Sequence, residues 1–317
     1  MKKKTLILFL IIIVFVTANA QTVNKDSVKI AKKETKKIKK AEKKASRKAR
    51  NRYLLINFAR GISKMKEQTV SPLLYKGGNT SFGFSYLRLE KRKINYYDFN
   101  LSTASLDLAN KDITQGSPSI LYKPSLNFYS LYGIADIHDK VFFYFGWHLF
   151  NNSLLYVNSK YMNSALVFSF FSETGVTGRI DLPFSWKAKT GKFLFIKTNR
   201  KDRKLRLSWM FGLPVFSHVL RPEYAGITNF VDGKSSLSIN PGFAIAGQYI
   251  YFDSKLELLY ELGNYNLLKL SYNWDFLHYS PDYNKVQAAN HYFNLSFVIK
   301  LNKHQKSINY VKEVKND

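Results

Sequence analysis

Few residues of this chain combine types and spacing that could do chemistry. His278-Tyr279-Ser280-Pro281-Asp282 places an imidazole, a hydroxyl and a carboxylate within five positions, the ingredients of acyl hydrolysis. Neighbours on an extended chain point in different directions, whereas a working triad needs converging side chains and an oxyanion hole, and a loop tip explains the same residues. Among the six histidines, only the one in Asp136-Ile137-His138-Asp139 has other metal-ligating types beside it, and such a run reads as a solvated turn because a stable site needs several converging donors. There is no G-x-S-x-G elbow, phosphate loop or H-E-x-x-H helix. The sequence assigns no catalytic residue, no metal ligand and no cofactor.

A second set of charged residues is defined by parity. Arg179, Asp181, Lys204, Arg206, Lys255, Glu257, Glu261, Lys269 and Asp275 all fall on the polar parity of alternating segments. In Leu268 to Phe276 the even positions are Leu, Leu, Tyr, Trp and Phe, and the odd ones are Lys, Ser, Asn and Asp. Such a strand has one face for oil and one for water. Phe293, Leu295, Phe297, Ile299 and Leu301 repeat the pattern, as does Leu205 to Leu213.

Segments of this kind recur near 53–60, 79–90, 94–106, 119–134, 141–150, 153–159, 162–172, 175–187, 203–213, 235–251, 255–262, 266–277 and 290–301. They predict an all-β fold, an up-and-down antiparallel transmembrane β-barrel of about 12 to 14 strands over residues 53–302. The turn signals are Gly77-Gly78-Asn79, Asn151-Asn152, Asp253-Ser254 and Gly263-Asn264. The nine charged residues would face the lumen, because lipid exposure would cost too much. The longest irregular stretch runs from Pro214 to Lys234, and strand counting from the C-terminus puts it on the periplasmic side. A soluble sandwich would instead pack the apolar rows of two sheets against each other.

The N-terminus has a basic start, an apolar core from Leu6 to Val16 and Ala18-Asn19-Ala20 before Gln21, the layout of a cleaved signal peptide over residues 1–20. With no cysteine, the chain has no disulfide and no thiolate ligand. The net charge is +27, and residues 21–52 hold fourteen Lys or Arg against three acids. This segment reads as a periplasmic extension with available helix and a thin apolar stripe. Lys32, Lys36, Lys39, Lys43, Arg47 and Arg50 are its candidates for anionic surfaces: lipid head groups, cell-wall polymer or an acidic periplasmic protein. Export takes it away from nucleic acid. Residues 303–317 form a polar basic tail.

The Ala-Gln cleavage site, the Lys, Asn, Tyr and Phe-rich body, and segments such as Asn79 to Tyr86, Phe211 to Phe216 and Arg221 to Tyr224 resemble outer-membrane β-barrel proteins of Bacteroidota-type bacteria. The resemblance implies the outer membrane of a Gram-negative cell, lipid as a partner and a barrel fold, and it carries over no functional residue. It leaves a non-enzymatic barrel, as an envelope-complex scaffold or small porin, ahead of a lipid acyl hydrolase-like barrel and a soluble periplasmic binding protein.

Overall fold

Strict alternation builds nearly every long element of the chain. The computed structural model describes residues 51–301, except 91, 111–117, 139, 159, 161–165, 187–188, 194–195, 201–202, 223–238, 246, 263–264 and 282–283. It also describes residues 32, 33, 35 and 36, which are helical and exposed. The predicted signal peptide and tail, and the rest of the basic extension apart from Asn51 and Arg52, lie outside the described residues.

The strands are β1 (Asn51–Glu67), β2 (Ser71–Glu90), β3 (Lys93–Leu108), β4 (Ser119–Ile137), β5 (Val141–Val157), β6 (Leu166–Trp186), β7 (Lys189–Phe193), β8 (Ile196–Arg200), β9 (Arg203–Pro222), β10 (Ile239–Ile245), β11 (Tyr249–Glu261), β12 (Leu267–Tyr279) and β13 (Val286–Lys300). Neighbours pair antiparallel from β1 to β6, β6 pairs with β9, β9 with β11, and β13 returns to β1, so the sheet closes. β7 and β8 form a separate hairpin.

β10 and β11 both run antiparallel to β9 and succeed each other along it, Ile239–Ile245 against Pro222–Phe216 and Asp253–Tyr260 against Gly212–Leu205. They act as one wall strand interrupted at Gly247, whose φ of 110° is a conformation that glycine adopts without cost. Among the described residues the barrel therefore has ten strands. The expected 12 to 14 counted three strands twice. Asn151-Asn152 lies inside β5, residues 172–175 lie inside β6, and Asp253-Ser254 lies inside β11. Gly77-Gly78-Asn79 also lies within a strand, and the β1–β2 reversal falls at residues 68–70.

An even strand number brings both barrel termini to one end, where β1 starts and β13 finishes. The stretch beginning at Pro214 remains in β9 until Pro222. Residues 223–238 then link β9 to β10 at the opposite end, reversing the sidedness expected from counting.

Side chains divide by parity. One parity carries large apolar residues outward: Phe58, Phe82, Phe99, Trp147, Trp209, Leu270 and Phe297 are all exposed. Soluble sandwiches bury such rows; in this barrel they form a continuous band around the outside. Along β1 the outward row reads Leu54, Ile56, Phe58 and then Arg60, and the band gives way at the same height to Thr80 on β2 and Thr103 on β3. No helix among the described residues is long and apolar enough to cross a membrane, which says nothing of strands.

Candidate functional site

The inward rows meet in the lumen, and their centre is a belt of charge. Arg179 and Asp181 project from β6, Arg206 from β9, Asp253, Lys255 and Glu257 from β11, Lys269 and Asp275 from β12, and Lys123 from β4; all are buried. Arg179 donates from Nε to Asp181 Oδ1 at 2.7 Å and from Nη1 to Glu257 Oε2 at 2.9 Å. Glu257 Oε1 accepts from Lys269 Nζ at 3.1 Å, while Arg206 Nη1 stands 3.7 Å from Asp181 Oδ2. Shared carboxylates thus tie β6, β9, β11 and β12 together.

The second half of the belt crosses the barrel. Lys123 Nζ donates to Asp275 Oδ1 at 2.7 Å, and β4 and β12 stand five strands apart in a ring of ten. This contact spans the diameter. Asp275 also accepts from Asn290 Nδ2 at 2.6 Å, Asn290 Oδ1 accepts from Ser63, and Ser63 accepts from Asn79. Lys255 donates to the Tyr129 hydroxyl at 2.5 Å, which in turn donates to Asp253 Oδ2 at 3.2 Å. Among the described residues the belt borders a polar cavity of about 60 Å³, lined in part by Asp98, Lys123, Lys255 and Asn294, room for a few waters.

Apolar layers lie on either side of the belt. Toward the termini Leu55, Leu87, Ile94, Leu131, Met210 and Leu259, from six strands, meet the belt's Arg179, Arg206, Glu257 and Lys269 around a void of about 20 Å³. Toward the other end Phe171 stacks on Tyr249 at 5.6 Å and meets Tyr279 edge-on at 5.9 Å, while Phe150 meets Tyr251 at 5.9 Å. At the mouth Arg221, buried, donates to Glu67, to Thr69 and to the carbonyl of Asn284, clasping β9 to the β1–β2 turn and the β12–β13 connection.

Of the nine parity-selected residues, Arg179, Asp181, Arg206, Lys255, Glu257, Lys269 and Asp275 belong to the belt. Lys204 and Glu261 are half-buried near strand ends on the terminal side, both close enough to Lys300 to interact electrostatically. Of the candidates for anionic surfaces, Lys32 and Lys36 are exposed on described helical residues, and Lys39, Lys43, Arg47 and Arg50 lie outside the described residues.

Sequence reading missed Lys123 and Asp253 in the belt, Asp98 on β3, which accepts from Ser85 and Asn100, and Glu173, fully buried on β6. Lys123 precedes Pro124, and Asp253 resembles half of a turn. The available signal was parity, since Lys123 lies opposite the outward Tyr122 and Leu126. It also missed His148, fully buried and stacked on Phe150 at 3.9 Å, with Nδ1 2.7 Å from Thr177 Oγ1. A Cβ on Gly175 would come within 2.5 Å of the His148 ring, so glycine there makes room for the imidazole.

His278 and Tyr279 of the run near 278 take different surroundings. His278 accompanies Phe276 and Gln287, Tyr279 turns inward to Phe171, and Asp282 lies outside the described residues. No group of three or more His, Cys, Asp or Glu among the described residues could hold a metal.

The fold and its lipid-facing band define a class, the closed up-and-down transmembrane β-barrel. No protein-family model matches the chain, and no curated protein does. Solved structures similar to it include the translocator domain of the autotransporter NalP from Neisseria meningitidis, 9% identical over 87% of this chain and 98% of that one, with a TM-score of 0.32. The transport unit of the autotransporter AIDA-I from Escherichia coli is 7% identical over 78% and 90%, with a TM-score of 0.33. The outer membrane protein OprD from Pseudomonas aeruginosa is 8% identical over 81% and 96%, at 0.18. Superpositions this loose carry no argument about function.

Proposed function

We propose that this is a sealed outer-membrane barrel of a Gram-negative cell, exported by residues 1–20, whose work is to anchor and present rather than to conduct or catalyse. The observation that carries the reading is the Lys123–Asp275 bridge between opposite walls, set between two apolar layers. An eight-stranded barrel is just filled by side chains, and open aqueous channels are found at sixteen strands and more, so ten strands suit a filled lumen. In the belt, charges of both signs pair with one another instead of lining a path with one sign. The lipid band holds the barrel in the membrane, and the chain N-terminal to β1 offers residues 21–50 to the periplasm as a basic arm for an anionic surface or acidic protein.

In-cell cross-linking of the full chain and of a variant lacking Lys25–Arg50 tests the anchoring role. Both should assemble as folded barrels, with salt-sensitive periplasmic cross-links lost only from the deletion, because exposed charges are screened within about 10 Å at 0.1 M salt. Identical cross-link patterns would contradict the arm's role.

A further inference from the structure

Above the apolar band, the outer wall is not uniform. On β1 the outward row continues as Arg60, Ile62, Lys64 and Lys66, and on β2 Lys76 is the register partner of Lys64. Arg60, Lys64 and Lys76 are exposed and Lys66 is half-buried, and among the described residues none of the four side chains makes a hydrogen bond or ion pair. Elsewhere at this height the outward residues include Tyr122, Phe216 and Phe243.

Two lysines directly opposite each other repel, and the pairing weakens the sheet unless an anion lies between them. Lysines on edge strands guard against aggregation, but β1 and β2 are paired on both sides in a closed wall, so that explanation does not apply. One acid, Asp107, is the register partner of Lys76 on its other side, leaving the cluster strongly positive.

We propose that Arg60, Lys64, Lys66 and Lys76 bind the phosphate groups of membrane lipid in the leaflet surrounding the end of the barrel opposite its termini. The proposal rests on the membrane-inserted reading above. A lipid is favoured over an acidic protein because the cations stand next to exposed apolar side chains on the same outer wall. Phe58 and Phe293, 65% and 67% exposed, flank Arg60 from below and beside it, and Ile62, 55% exposed, separates Arg60 from Lys64. An amphiphile lying along β1 would thus meet apolar side chains first and then cations two residues, roughly 7 Å, apart. If the terminal end is periplasmic, this leaflet is the outer one and its phosphorylated glycolipid is the ligand class.

The test is native mass spectrometry of the full-length barrel in detergent with diphosphorylated lipid A, its dephosphorylated form, or inorganic phosphate, comparing wild type with Lys64→Gln/Lys76→Gln and with Lys93→Gln near the terminal end. Wild type and Lys93→Gln should retain the diphosphorylated lipid preferentially, and affinity should fall about fivefold for each lysine removed at the cluster. Equal retention by the double variant, equal retention of the dephosphorylated lipid, or displacement by poly-glutamate as readily as by lipid would overturn the proposal. Saturation by inorganic phosphate alone would also overturn it, by assigning the site to a free anion. Failure to recover any heat-resistant folded band would instead count against the membrane barrel itself.

Discussion

At the scale of single residues, the barrel is held shut by buried charges that pair across its lumen. Breaking a buried pair from one side is far more damaging than replacing both members, since the survivor keeps its desolvation cost. Lys123→Met should therefore destabilise the folded barrel by about 3–5 kcal/mol in urea titrations in micelles, with the buried Asp275 left without its cation. Lys123→Met combined with Asp275→Leu should recover most of that loss. A double variant as unstable as the single one would mean that the bridge itself, rather than the orphaned carboxylate, carries the stability. His148 offers a separate check. Gly175→Ala should impair folding, because the new methyl meets both the His148 ring and the Leu213 carbonyl oxygen, and a fully stable variant would show that the niche is looser than its geometry.

At the scale of elements, one residue of displacement along a strand exchanges oil for belt. Arg at Leu270 should cost about 2–4 kcal/mol near the middle of the lipid face, read as lost assembly in phospholipid vesicles. Arg at Ser271 should also fail, but for a different reason: Ser271 is buried in a filled lumen, so the damage is overpacking. Ser271→Ala should be tolerated where Leu270→Arg is not, and equal damage from both would mean the faces are reversed. These faces were legible in the sequence because Leu268 to Phe276 and Phe293 to Leu301 alternate without a break. Strand length was not. Asn-Asn at 151–152 and Asp-Ser at 253–254 have turn chemistry, yet cross-strand pairing and an inward niche override it. The upper half of β1 and the start of β2 were missed because Arg60, Lys64 and Lys76 face outward, where alternation expects apolar residues. The break in the pattern is local to β1 and β2, since Tyr122, Phe216 and Phe243 keep the outward face apolar elsewhere at that height.

At the scale of the whole molecule, the sequence made the membrane band and the polarity of the lumen legible, while the closure of the lumen needed three dimensions. Lys123 and Asp275 are 152 positions apart, and no periodicity links them. A mixed-sign row reads equally well as a channel lining or a filled core until opposite walls are seen to touch. Unboiled protein should migrate faster than boiled protein on a denaturing gel, as expected of a closed sheet without edges. That result would establish the barrel but not its seal. Planar-bilayer recording of the purified full-length protein addresses the seal directly. The bridged belt between two apolar layers predicts no steady conductance, and a large, stable, ohmic conductance from every inserted molecule would contradict it.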